Sequence, residues 1–229
     1  MSSFVRRALR ATRDAVLGRP SVPIMSQIIR RDPRSTTFFA ALDYINYERV
    51  PGDVIEFGVF TGLSLAEFAA GDSFEGLPPS ATEHARWVPT DCAINHSWHP
   101  LIPIGAPVSA DVTRNLFAAC GLPEPTLHIG QFDQTIAKVI PSVYPSVALV
   151  HFDCDLYEST RDALALASPA FQDGVMLMFD DWFHYRGNPH KGQSRAFEEF
   201  LAQHPEWVPQ QYRSYSTFCN SFILSRRDA

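Results

Sequence analysis

Two stretches of the chain are apolar at nearly every position and end in acids. "SVALVHF" (146–152) runs into Asp153, and "GVMLMF" (174–179) runs into Asp180 and Asp181. Runs that are apolar on both faces mark central strands of a parallel sheet covered by helices. "STRDALALASPAF" between them predicts the connecting helix. "STTFFAALDYINYERV" (35–50) sets Phe38, Ala41, Leu42 and Ile45 at helical spacing, with Ser35 as the cap. "SADVTRNLFAACG" (109–121) predicts a helix capped by Ser109 and stopped by Gly121, with Val112, Leu116 and Phe117 inward. "QSRAFEEFLAQH" (193–204) is a further helix. "VIEF" and "PTLHIG" (125–130) read as short strands, and "WVPQQYRSYS" with "FCNSFILSRR" as a C-terminal antiparallel pair.

Strands alternating with helices predict an α/β open sheet, mostly parallel, with helices on both faces. Right-handed crossovers put the parallel strand ends on one edge, where ligands bind. Residues 1–34 read as an N-terminal helical extension and 35–229 as a single domain. Between 78 and 108 lies a long irregular insertion rich in Pro, His, Trp and Asn, the kind of loop that usually carries function.

Composition narrows the classes. The hydrophobic fraction of 45% over 229 residues suits a protein with a real core. A formal charge of −6 without a basic stripe speaks against nucleic acid. Cys92, Cys120, Cys154 and Cys219 show no CxxC spacing and read as reduced thiols of a cytoplasmic protein. No apolar run approaches the ~20 residues of a membrane span. The N-terminus, with Arg6, Arg7, Arg10 and Arg13, lacks the apolar core of a signal peptide.

The acids carry the chemistry. Neighbouring strands lie about 4.8 Å apart, so adjacent strands would bring Asp153, Asp180 and Asp181 within reach of one ion. Crowded carboxylates repel one another, and a divalent cation removes the conflict. An all-oxygen set suits Mg²⁺ first, with Mn²⁺ or Ca²⁺ as alternatives. The bland alternative is a set of solvated strand-end acids; Asp155 reads as a cap or brace for the next helix. "VIEFGVFTGLSL" has the form ExGxxxG after a strand. Gly58 and Gly62 would let a ligand approach the backbone, and Glu56 would meet a cationic amino group. The spacing is not GxGxxG, so a nicotinamide dinucleotide fits poorly.

"VIEFGVFTGLSL", "DSFEGLPP", "LHIGQFDQTI", "HFDCDLYEST" and "FDDWFHYRGNPHKGQSRAFEEFL" together resemble the macrocin O-methyltransferase family. The resemblance covers most of residues 50–200. It implies a Rossmann-like class I methyltransferase sheet, S-adenosylmethionine as cofactor, and Mg²⁺ at Asp153, Asp180 and Asp181. It implies that Glu56, Gly58 and Gly62 line the methionine part of the cofactor. Asp72 would then hold the ribose, and Gly130 and Gln131 would lie near the adenine. The substrate it implies is a sugar hydroxyl of a natural product or glycan. His99, His96 and His184 are the candidate bases because they stand in loops expected to cover the site. Trp182 and Trp98 are expected to wall the substrate, and Arg186, Lys191 and Arg195 to belong to a lid.

The segment from Gly62 to Asp72 spans only ten residues. A helix, a turn and a strand need about twenty. A truncated second strand is therefore expected; either another segment fills the gap, "ARWVPTD" ending in Asp91 being one option, or cofactor binding is weakened. A neighbouring segment or a second subunit in a homo-oligomer would cover the exposed edge. Two rivals to a sugar O-methyltransferase follow: a catalytically impaired relative that binds a glycoside or a protein, and a metal-dependent hydrolase.

Overall fold

The computed structural model describes residues 33–59, 62–64, 66, 108–120, 122–135 and 139–228. Pro33 apart, these belong to the compact unit Arg34–Ala229. The N-terminal helix, the truncated second strand, the 78–107 part of the insertion and Gly121 lie outside the described residues.

The elements in chain order are α1 (Ser35–Tyr47), β1 (Asp53–Phe57), α2 (Ala110–Cys120), α3 (Phe132–Thr135), β2 (Val147–Phe152) and α4 (Tyr157–Ala167). A 3₁₀ turn (Ser168–Ala170), β3 (Phe171–Phe179), α5 (Gly192–Gln203), β4 (Trp207–Tyr215) and β5 (Cys219–Arg226) follow. The five strands form one sheet in the order β1-β2-β3-β5-β4. β1, β2 and β3 run parallel, and β5 pairs antiparallel with both β3 and β4. The predicted mostly parallel sheet with a C-terminal antiparallel pair is therefore formed.

The pleat gives the sheet two different faces. On one, Ile55 and Phe57, Val150 and Phe152, and Val175, Leu177 and Phe179 join Leu164 of α4 and Phe197 and Phe200 of α5 in one buried cluster. The register aligns Phe57, Phe152 and Phe179 across three strands. Their rings stack, 5.8 Å apart at 7° and 4.8 Å apart at 10°. The other face carries Glu56, His151 and Met178 in one row. Helix α1 covers it, with the Phe38 ring edge-on to the His151 ring at 5.2 Å.

Three local expectations need correction. Ser35 does not cap α1: Arg34 holds the cap position without a side-chain cap bond, and Ser35 is the first helical residue, buried. Helix α2 is capped as expected, Asp111 N–H donating to Ser109 Oγ at 3.2 Å. Its buried stripe, however, is Ala110, Thr113 and Phe117, while Val112 is 42% exposed. Residues 125–130 form no strand. Strands exist only by pairing, and prolines 123 and 125 remove two ladder donors.

Candidate active site

Asp153 and Asp180 continue the ladders past the ends of their strands. Asp153 N–H donates to Phe57 O at 2.8 Å and Asp180 N–H to Phe152 O at 3.0 Å. The pleat then turns Asp153 and Asp180 to the face that carries Glu56 and His151, and Asp181 to the opposite one. Gln193 of α5, fully buried, fixes the junction. Its Oε1 accepts from Asp181 N–H at 2.9 Å and its Nε2 donates to Phe152 O at 3.0 Å. Asp153, Asp180 and Asp181 each place an oxygen within 4.8 Å of the others. The three acids singled out from sequence are thus brought together. They are not at an open strand edge: Asp181 is only 7% exposed.

The loop from β1 passes close to this junction. A Cβ at position 58 would lie 1.8 Å from Asp153 O, and Gly58 has φ +94°, so only glycine fits there. Glu56 is fully buried. Its Oε1 accepts from Ser64 Oγ at 2.5 Å and from His151 Nδ1 at 2.9 Å. Its Oε2 is buried with no hydrogen-bond partner among the described residues. One oxygen is thus tied by two donors, and the other has none among the described residues. Phe132, directly after Gly130 and Gln131, packs against Phe57 at 5.1 Å, which puts that segment beside the end of β1.

The electrostatics separate the groups. Burial favours the neutral His151 ring, but Asp180 and Glu56 outweigh it and raise its pKa to about 10. His151 therefore favours the imidazolium form in the metal-free protein. Burial also raises Asp180, but the Arg34 charge and His151 overcome it and hold the carboxyl below the usual range. Asp153 and Asp181 are pushed up, by burial first and by the Asp180 charge second. These acids resist sharing a site without a cation. Asp181 Oδ2 is buried and unpartnered among the described residues. A hard divalent ion fits this all-oxygen donor set.

His184 follows in a single turn whose next two residues, Tyr185 and Arg186, are left-handed. Its Nδ1 lies 3.3 Å from Asp181 Oδ1, and its Nε2 is buried without a partner among the described residues. Burial lowers its pKa, so the ring is neutral.

The family model of the macrocin-O-methyltransferases (TylF) matches residues 8–206. The chain belongs to the macrocin O-methyltransferase family. It is 27% identical over 151 residues to mycinamicin III 3''-O-methyltransferase of Micromonospora griseorubida, with 58% of this chain and 56% of that protein covered. It is 29% identical over 151 residues to the 8-demethyl-8-(2,3-dimethoxy-alpha-L-rhamnosyl)-tetracenomycin-C 4'-O-methyltransferase of Streptomyces olivaceus, covering 58% of this chain and 54% of that one. The chain thus spans about half the length of the curated relatives it matches. Among solved structures, the O-methyltransferase NovP superposes with a TM-score of 0.67 at 19% identity, over 85% of this chain and 80% of that one. The calicheamicin methyltransferase CalS11 superposes with a TM-score of 0.58 at 16% identity, over 97% and 93%. The fold is that of the class I O-methyltransferases.

Of the site residues expected from sequence, Glu56, Gly58, Gly62, Gly130, Gln131, Asp153, Asp180, Asp181 and His184 are described. Asp72, Asp91, His96, His99 and Trp98 lie outside the described residues. Asp155 does not cap α4; Leu156 holds the cap position, and Asp155, at φ +55°, faces Asp181 and His184. Trp182 is engaged by the core, packing on Phe179, Phe197 and Phe222. Arg195 lies over the Tyr157 ring at 4.0 Å and bonds Glu199. Sequence reasoning missed Arg34, His151, Ser64 and Gln193. His151 carried a visible signal, an ionisable residue inside an otherwise apolar strand, and Glu56 explains it only once the two strands are in register.

Proposed function

We propose that the chain is an S-adenosylmethionine-dependent O-methyltransferase that methylates a sugar hydroxyl of a natural product or glycan with the help of Mg²⁺. The observation that carries this reading is the pairing of two half-built ligand sites at one sheet edge. Three carboxylates converge within 4.8 Å, and beside them Glu56 Oε2 waits, buried, for a donor. The sugar O-methyltransferases among the relatives support the substrate class.

Asp153, Asp180 and Asp181 would hold Mg²⁺, and Glu56 would accept the cofactor's ammonium group. Bound, these groups supply a Lewis acid that lowers the pKa of a sugar hydroxyl and a sulfonium methyl for it to attack. Gly58 keeps the loop close enough for the carboxylate row and the cofactor to share one pocket. Gln193 holds the strand ends in register, which fixes the carboxylates relative to Glu56. His184 takes the proton at Nε2; the neutral ring that burial enforces is the form a base requires. The 3.3 Å approach of Nδ1 to Asp181 orients the ring and stabilises the imidazolium that forms.

A methyl-transfer assay with labelled cofactor against a panel of glycosides tests this. Label should move to sugar in the presence of Mg²⁺ and stop with chelator. Transfer that persists unchanged in chelator would remove the metal from the reaction; absence of transfer to every glycoside, with no cofactor bound by calorimetry, would remove the enzyme.

A further inference from the structure

Arg34 Nη1 stands 2.9 Å from Asp180 Oδ2 and 3.6 Å from Asp153 Oδ2. These are two of the three carboxylates assigned to Mg²⁺. The other Asp180 oxygen is also engaged: Oδ1 accepts from the Cys219 thiol at 3.1 Å and faces His151 Nε2 at 3.7 Å. Both oxygens of Asp180 are thus engaged, and the Arg34 guanidinium occupies the charge position that a metal ion would take.

The position of Arg34 is unusual for a cation. It caps α1, where the positive end of the helix disfavours further positive charge. Two carboxylates and the face of Phe38, 5.5 Å away, hold it there, and its side chain is only 18% exposed. A half-buried guanidinium placed against its own helix dipole is held by what it neutralises. What it neutralises is the donor set of the metal.

We propose that Arg34 is the resident cation of the acid cluster and a competitor of the divalent ion, withdrawing from Asp153 and Asp180 when the metal is taken up. This inference rests on the Mg²⁺ reading and adds a residue to it. In the metal-free protein Arg34 pairs with both carboxylates and ties the two strand ends together. The metal then replaces one cation by another of higher charge density. Its apparent affinity is reduced by the fraction of molecules in which Arg34 still occupies the cluster.

Mn²⁺ alone is the probe, titrated by calorimetry and spin resonance into the full chain and into Arg34→Gln and Arg34→Ala. Each folded variant should bind Mn²⁺ at least about tenfold more tightly than wild type. Each should also melt lower without metal and gain more on adding it. Millimolar guanidinium ion, far below denaturing levels, should weaken Mn²⁺ binding to Arg34→Ala while sodium at equal ionic strength does not. Equal or weaker affinity in the folded variants overturns the competition and leaves the metal reading standing. Tighter binding that guanidinium does not reverse assigns the effect to remote charge and also overturns it. Absence of Mn²⁺ binding in wild type and variants alike removes the metal site, and this inference with it.

Discussion

On one face of the sheet the strand ends carry Phe57, Phe152 and Phe179; on the other, one residue earlier, they carry Glu56, His151 and Met178. The same three backbones thus support an aromatic ladder and an ionic row. The ladder is buried among Leu164, Phe197 and Phe200 and has no polar group to satisfy. Burying its apolar area stabilises the fold at about 25 cal/mol per Å². The ionic row is buried equally deeply, with Glu56 and His151 both at 0% exposure. There burial costs free energy, and pairing recovers only part of it. Glu56 Oε2 and Asp181 Oδ2 lack any partner among the described residues. One face makes the sheet stable, and the other holds buried polar atoms left without partners among the described residues.

The largest break in this comparison is on the aromatic face. Phe152→Ala removes the middle ring of the ladder and leaves a cavity between its two neighbours. A loss of roughly 3–5 kcal/mol is expected, a fall in Tm of about 10 °C or more for a chain of this size. Thermal melts followed by circular dichroism check it. A fall of a degree or two would mean that α4 and α5, not the ladder, hold this face.

Next in size come the two adjacent aspartates, whose effects on stability should have opposite signs. Both Asp180→Asn and Asp181→Asn should abolish metal-dependent turnover. Asp180 is stabilised as a carboxylate by Arg34 and His151, so its loss leaves two cations short of a partner and costs about 1–3 kcal/mol. Asp181 is buried against the charges of Asp180 and Asp153, so removing its charge should leave the metal-free Tm at neutral pH unchanged or higher. Melting both variants in chelator tests the contrast, and equal destabilisation by the two would refute it.

Much of this geometry was legible beforehand. The apolar runs ending in Phe152 and Phe179 set the strand ends, and parallel register then had to bring Asp153 level with Asp180. What stayed hidden depended on contacts distant in sequence. Arg34 meets Asp180 across 146 positions, and no local pattern marks that arginine among the others. The inward face of α2 was misjudged because Val112 and Thr113 differ by a single helical step, and only the element packed across decides between them. The 125–130 segment was apolar enough for a strand, but its extended form gains nothing without a partner. His184 was chosen for its position in a loop, and its pairing with Asp181 appeared only in three dimensions.

The smallest effect per step of the measurement, at most about 1.4 kcal/mol for each pH unit, is a slope with pH, and it isolates the ionic row. His151 has its pKa raised to about 10 in the folded chain against 6.5 when free. A histidine raised in this way contributes stability that is fully present below pH 6.5 and is lost as pH rises through about 10. Asp153 and Asp181 are raised as well, by burial first and by the Asp180 charge second, so their contribution is lost as pH climbs from 3.8 through their raised folded values. Asp180 is lowered, and its contribution is lost only on acidification below its ordinary value. Between pH 6.5 and 10 the difference in slope between wild type and His151→Gln should therefore report His151. The metal-free wild type should lose stability steadily across that window, while His151→Gln, already less stable at pH 6.5, should decline less steeply. Parallel slopes in the two proteins would mean that Glu56 and Asp180 do not hold His151 as a cation, and the ionic row would then be a neutral hydrogen-bonded one.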